Sequence, residues 1–449
     1  MGNRNIYLTS ISPILIVLVL FIGVLAQKSE KPKLKDFGSS LKRLRWDEHK
    51  KAAVEIKSRS DSATDPAIEV VKVDTSLVSS DLLVLDERGN AVTGLTANDF
   101  AVTEDGAPQK IGMFSLGDNV TVPRSIVLII DYGCSQQPFV NASVEAGKIM
   151  VDKLSPNDRM AIVTDDIELL SDFTANKQKL KQKLNELLRR PPLEAGYLAS
   201  FLERHERFRA AFGRGFQYSA LLAVLKEAFS QEDERPIIIF QTGGTEAVML
   251  RNPVVEYVVD PGLPPDLRAQ REAGLQHFAD FKKLNPREFG LDDIYKATEK
   301  SHATIYTIVP GLRFIGLKPE ERAMQMRAYL NREIAGTNYP SVRNAIADYL
   351  KRWPDETLTC EADILAKEQS ALAVLSTISG GWMDFFDQPS QANEIYSRIF
   401  SDINRRYVVG YYSTNKAHDG KRRKVNIAVR NHPEYIVMGH RGYYAPGPE

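Results

Sequence analysis

The strongest constraint on the fold is an unbroken apolar run at 125–130, Ser-Ile-Val-Leu-Ile-Ile, which ends on an aspartate, Asp131. Six such residues without polar alternation have no face to offer water. The strand they form must be covered on both sides, as in a parallel sheet flanked by crossover helices. Pro-Ile-Ile-Ile-Phe at 236–240 and Ala-Thr-Ile-Tyr-Thr-Ile-Val at 303–309 repeat the pattern. Ligands of open parallel sheets collect outside the carboxyl ends of the strands. Asp131 and Ser135, in the stretch Asp-Tyr-Gly-Cys-Ser, therefore stand at the edge where a site would form.

Strand-like and helix-like stretches alternate through the middle of the chain. Strands are expected at about 125–131, 159–164, 168–173, 235–242, 303–310 and 382–387. Helices are expected at about 140–154, 176–190, 218–229, 292–301, 362–378 and 392–405. The fold class is α/β, a doubly wound and mostly parallel sheet. Two long insertions interrupt it, at about 246–289 and 312–360. The first carries Pro261, Pro264 and Pro265 ahead of a helical stretch at 266–283. The second has helical patterns at 320–334 and 342–353, with enough apolar residues (Met324, Met326, Tyr329, Leu330, Ile334) for a helical lid. Both leave strand ends on the Asp131 side, and connections this long are usually functional or disordered.

Both ends of the chain change to the period of strands. Residues 68–86 are rich in β-branched and aliphatic side chains, and Glu87-Arg88-Gly89-Asn90 supplies a turn. A short strand at 100–103, an Asp105-Gly106 hairpin signal and a further strand at 109–116 follow. The last 44 residues hold three more runs, at 406–415, 423–431 and 435–445. Neither end has enough strands for a sheet of its own. They are expected to pair in one β-sandwich, its halves at 67–119 and 406–445, with the α/β domain (120–405) inserted between them.

Arg4 precedes an apolar run at 11–26, and Val24-Leu25-Ala26-Gln27 fits signal-peptidase cleavage after Ala26. The run is shorter than the roughly 20 residues of a membrane span. Lys28, Lys31, Lys33 and Lys35 leave an uncleaved anchor as the alternative. Residues 27–66 read as a basic linker with weak helical periodicity at 41–56. The chain is thus expected to be exported, to the periplasm, the cell envelope or the outside, and to meet a membrane only through an uncleaved anchor.

Lysine plus arginine and aspartate plus glutamate both number 58, so bulk charge gives no reason to invoke nucleic acid. The seven histidines form no His-Glu-x-x-His pattern. Ser135 follows no Gly-x-Ser-x-Gly elbow. Gly243-Gly244-Thr245 lacks the lysine of a phosphate loop and reads as the start of a flexible loop. No catalytic constellation emerges, so a binding module is favoured over an enzyme or accessory with chemistry in the insertions. Cys134 and Cys360 form one disulfide or are two buried small hydrophobes. Phe139, Tyr197, Phe201 and Phe208, near Arg207, Arg209 and Arg214, suit a protein interface slightly better than a core helix.

Three motifs carry a family resemblance. They are Gly-Leu-Thr-Ala-Asn-Asp-Phe-Ala-Val-Thr-Glu-Asp-Gly-Ala-Pro-Gln-Lys-Ile at 94–111, Tyr-Val-Val-Gly-Tyr-Tyr at 407–412 and Arg-Gly-Tyr-Tyr at 441–444. In this order, around the α/β pattern, they resemble the bacterial secreted von Willebrand factor type A-related family of the acidobacterial type. The likeness runs from about 68 to 445. It implies a type A domain, a class that binds protein ligands through a divalent cation. The cation site of such domains uses an aspartate and two hydroxyls on a first loop, a threonine on a second and an aspartate after a later strand. Asp131 and Ser135 match. Gly133 lacks a hydroxyl, Gly215 stands for the threonine in Gly-Arg-Gly-Phe-Gln-Tyr-Ser-Ala-Leu, and Gln241 stands for the later acid. Hard cations need several oxygen ligands, so no tightly held metal is expected and Mg²⁺ should bind weakly at most. The resemblance makes Asp131, Ser135, Gly215 and Gln241 the ligand-binding positions and Asp131 and Ser135 the metal candidates. Asp165 and Asp166, at the end of the next strand, are expected to be a solvated pair. The partner implied is a protein or peptide.

Overall fold

The computed structural model describes residues 44–47, 52–55, 77–116, 123–132, 136–165, 167–189, 217–229, 235–251, 259, scattered positions in 263–279, 289–311, 313–336 and 340–447. The apolar run at 11–26, Gly133, Cys134, Ser135, Asp166, Gly215, the aromatic-basic residues 197–214 and most of the first insertion lie outside them. Among the described residues no helix is long and apolar enough to cross a membrane.

The core of the chain is a six-stranded sheet. Its strands are β7 (Ser125–Ile130), β8 (Arg159–Thr164), β9 (Leu169–Thr174), β10 (Pro236–Gln241), β11 (Thr304–Pro310) and β12 (Met383–Phe386). They lie in the order β12-β11-β10-β7-β8-β9, all parallel except β9 at one edge. Every residue of β7 and β10 is buried, as their unalternating sequences require. The faces divide by parity. Ile126, Leu128 and Ile130 pack against α1 (Gln137–Asp152), α2 (Lys177–Leu187) and α8 (Ala392–Arg405). Val127 and Ile129 face the cluster of α3 (Gln217–Glu227), α4 (Leu291–Ser301), α5 (Pro319–Gly336) and α7 (Asp355–Ile378). The leucine repeat of α2 buries Leu180, Leu184 and Leu187. At about 25 cal/mol per Å² of apolar surface, such stripes supply most of the stabilisation of these helices.

The second insertion forms α5 and α6 (Pro340–Arg352), in the two places its helical patterns indicate. The helix expected at 362–378 begins earlier, at Asp355. Pro354 precedes it and Asp355 and Glu356 stand in its first turn, where a fixed φ and negative charge favour a helix start.

The end segments form two four-stranded sheets, each with strands from both termini. One has the order β15-β3-β13-β6, from β3 (Leu77–Leu85), β6 (Ile111–Leu116), β13 (Tyr407–Tyr412) and β15 (Ile436–Met438). The other has the order β16-β14-β4-β5, from β4 (Phe100–Glu104), β5 (Ala107–Gln109), β14 (Arg422–Val429) and β16 (Gly442–Tyr444). One apolar cluster draws on both, joining Val78, Leu82, Tyr407 and Val409 with Phe100, Val102, Val425 and Ile427. Buried Glu104 accepts the hydroxyls of Tyr411 at 2.8 Å, Ser413 at 2.7 Å and Tyr443 at 3.1 Å. Asp105 (φ 48°) and Gly106 (φ 87°) make the expected hairpin turn.

Three expectations are corrected here. The single strand at 109–116 is two, because the chain passes from one sheet to the other at Lys110. The stretch at 41–56 is not helical but holds paired strands β1 (Leu44–Asp47) and β2 (Ala52–Glu55). Aromatic and β-branched residues at 46 and 54 favour extended backbone. Phe139 is a core residue, edge-on to Phe386 at 5.5 Å, rather than part of an exposed interface. Cys360 is a half-buried thiol on α7.

The end sheets are joined to the α/β body through Asp81. Its carboxylate pairs with Arg235 at 3.1 Å and Arg406 at 3.3 Å, both arginines being wholly buried. Arg406 also donates to Tyr306 Oη at 3.1 Å and to the carbonyl of Gly380 at 2.6 Å. A Cβ on Gly380 would come within 2.6 Å of Gly439 Cα, so only glycine lets the two backbones approach this closely.

Candidate functional site

The sheet order places the site. β7 is followed in sequence by its neighbour β8 on one side, and the chain then returns to add β10 on the other. Winding reverses between β7 and β10, and a crevice opens at the carboxyl ends of two such strands. Asp131 caps β7 there. Gln241 ends β10, in register with Ile130.

Asp131 is nearly buried, at 2% exposure. Its Oδ2 accepts the backbone N–H of Gly243 at 3.0 Å and the Gln217 side-chain amide at 3.2 Å. Its own N–H donates to the carbonyl of Gln241 at 3.1 Å. Gln217 opens α3 and is held from its other end, its Oε1 accepting the Glu246 N–H at 3.0 Å. The buried Glu246 carboxylate in turn accepts the N–H of Ser219 at 2.9 Å and its hydroxyl at 2.6 Å. A carboxylate bonded in this way is tolerated in an apolar setting because each N–H stabilises the charge that burial would otherwise disfavour.

The other anticipated positions behave differently. Gln241 turns inward, its Oε1 accepting the Tyr396 hydroxyl at 2.6 Å on the α8 side of the sheet. Asp165 is fully buried rather than solvated, and its Oδ1 accepts the N–H of Tyr132 at 3.3 Å. A strand flanked on both sides draws its terminal residue under the loops, which a single-edge reading of the sequence overlooks. The Gly243-Gly244 loop is likewise buried and bonded rather than open; Gly244 adopts φ 74° and its N–H donates to Thr242 Oγ1 at 2.9 Å. Gln217, Gly243 and Glu246 escape sequence reasoning as site residues. Their one signal is polarity at the border of apolar elements.

Behind this edge, on the α7 side, lie further buried polar groups. Burial pushes the Glu368 carboxyl well above the usual carboxylate range. Burial, followed by the neighbouring Tyr295, Glu368 and Glu246, raises the Tyr218 hydroxyl well above its ordinary value.

Among the described residues, the donors at this edge do not fit a hard divalent cation. Mg²⁺ and Ca²⁺ require about six or more oxygen ligands, whereas Asp131 Oδ2 already faces two N–H groups and the Gln241 oxygen is taken by Tyr396. Among the described residues no three His, Cys, Asp or Glu side chains group as a metal site.

No family model matches the chain, and no curated protein matches it. Among solved structures, proximal thread matrix protein 1 of the mussel byssus is 13% identical with TM-score 0.29. The match covers 63% of this chain and 48% of that one, so this chain spans about half its length. BatB of Bacteroides thetaiotaomicron is 12% identical with TM-score 0.29, covering 62% of this chain and 98% of its own. The von Willebrand factor domain of the type V pilus tip protein Mfa5 of Porphyromonas gingivalis is 13% identical with TM-score 0.24, covering 63% and 95%. Likenesses this loose leave the architecture to the sheet order and connections described above.

Proposed function

We propose that this chain is an exported binding module of the von Willebrand factor type A kind, holding a protein or peptide at the carboxyl edge of its central sheet without a cation. The observation that carries the reading is Asp131, held at the switch point of the sheet by the N–H groups of Gly243 and Gln217. Residues 120–405 serve as the binding body. The two end sheets act as a β-sandwich platform, with halves at 67–119 and 406–445, that carries it away from the linker. Asp131, Ser135, Gly215 and Gln241 mark the loops that define the ligand face. The α5–α6 insertion leaves the carboxyl end of β11, where Arg332 of α5 donates to the Gly311 carbonyl. The reading is of a module without catalysis.

The test is capture from envelope extract by the full chain, in EDTA and in millimolar Mg²⁺. A defined protein partner retained equally in both, and lost with Asp131→Arg, is the expected result. A partner released by EDTA would overturn the cation-free part of the reading. Turnover by the purified chain on a hydrolase panel would overturn the assignment as a binding module.

A further inference from the structure

We infer that Gln217 does the work a cation does in sites of this kind, and that the Asp131–Gln217–Glu246 chain locks the carboxyl edge in one state whatever the divalent cation concentration. In a cation site of this kind the metal ties three segments together through oxygen ligands: the loop after the first strand, the loop before the next long helix and the turn after a later strand. Here the carboxyl end of β7, the first residue of α3 and the turn after β10 meet through one amide. Gln217 Nε2 reaches Asp131 Oδ2 after β7 at 3.2 Å, and Gln217 Oε1 holds the N–H of Glu246 after β10 at 3.0 Å. Glu246 closes the ring onto the first turn of α3 through Ser219, and Gly243 adds a second donor to the same Asp131 oxygen at 3.0 Å.

The chemistry separates this arrangement from a metal site. An N–H and a cation compete for the same carboxylate lone pairs, so a metal reaching Asp131 Oδ2 has to displace two donors that the fold supplies without further ordering. Gln217 is also bonded through its carbonyl to the Glu246 N–H, so displacing it breaks more than one bond at once. Gln217 and Glu246 are therefore positioning residues: they hold the edge and need not touch the ligand. The inference deepens the cation-free reading of this face and rests on it, but its test involves no ligand, so an unidentified or wrongly assigned partner leaves it standing.

The experiment uses the full chain, with Mg²⁺ alone as probe, thermal melting and calorimetric titration as readouts. The unmodified protein should show no Mg²⁺ binding tighter than millimolar and essentially no Mg²⁺-dependent rise in Tm. Gln217→Ala should lower Tm by about 5 °C, the order expected for a lost hydrogen bond to a charged group in a domain of this size. Mg²⁺ should not restore that loss. Gln217→Glu sets a second carboxylate against Asp131: its Tm should fall in EDTA, and millimolar Mg²⁺ should recover most of the fall. A variant that only lost packing would show no such recovery, and that outcome would overturn the proposal. So would micromolar Mg²⁺ binding by the unmodified chain that Asp131→Ala abolishes. Should Gln217→Glu fail to fold, hydrogen exchange at the Gly243 amide of the unmodified protein decides the matter. Equal protection in EDTA and Mg²⁺ supports the lock, and tenfold greater protection in Mg²⁺ refutes it.

Discussion

Lowering the pH should loosen the joint between the end sheets and the α/β body, and His440 is the group to follow. It lies in the turn between β15 and β16 and is 5% exposed. Its ring stands edge-on to that of His302, the residue that ends α4, at 6.0 Å. Burial, then the charges of His302 and Arg406, push its pKa down to about 3, against smaller opposing pulls from Asp81 and the His302 backbone. The folded ring thus stays neutral to about pH 3, whereas the unfolded chain takes up a proton near the ordinary value of 6.5. Between those values the unfolded state binds one more proton, so stability is full above the upper value and is lost as pH falls. The loss is about 1.4 kcal/mol per pH unit, or about 2 kcal/mol between pH 6.5 and pH 5. His302, also lowered by burial, adds in the same sense. Glu368 acts oppositely, because a carboxyl whose pKa is raised in the fold contributes more as pH falls toward its unfolded value. A titration of the native chain alone therefore mixes the terms, and the comparison with His440→Phe isolates one. Urea unfolding at several pH values should show the slope of stability against pH reduced by about one proton in the variant. Identical slopes in the two proteins would refute the argument.

Asp81→Ala leaves Arg235 and Arg406 buried without their shared carboxylate, and should cost about 3–5 kcal/mol in urea unfolding. Asp81→Asn, which keeps the shape but not the charge, should recover little of it. Gly381→Ala places a methyl group 2.0 Å from the Ile305 carbonyl oxygen, a clash with backbone that should cost about 2–3 kcal/mol or block folding, read as soluble yield and urea midpoint. A chain ending at residue 405 lacks β13 and β14, the central partners of β3, β6 and β4. Limited proteolysis should then cut readily within 77–116 while sparing the α/β body, and a protected 77–116 segment would contradict the pairing of the ends.

Much of the architecture is written in contiguous residues. The apolar runs of β7 and β10 announce burial on both faces, the α2 leucines announce a packed helix, and Asp105-Gly106 announces its turn, because periodicity and turn chemistry act over a few neighbours. The position of Asp131 at a strand end could be read the same way. What surrounds it could not. Gln217 lies 86 residues from Asp131 and Gly243 lies 112 away; only the order β10-β7-β8 brings them to one oxygen. The burial of Asp165, the inward turn of Gln241 toward Tyr396 and the crossing at Lys110 likewise depend on which strands become neighbours. The same holds for His440 at the joint. Local sequence sets the elements and their buried faces, since each residue's pattern is shared with the next few. Only the packed sheet decides which distant polar groups meet, since hydrogen-bond partners in a buried edge are chosen by topology rather than by spacing along the chain.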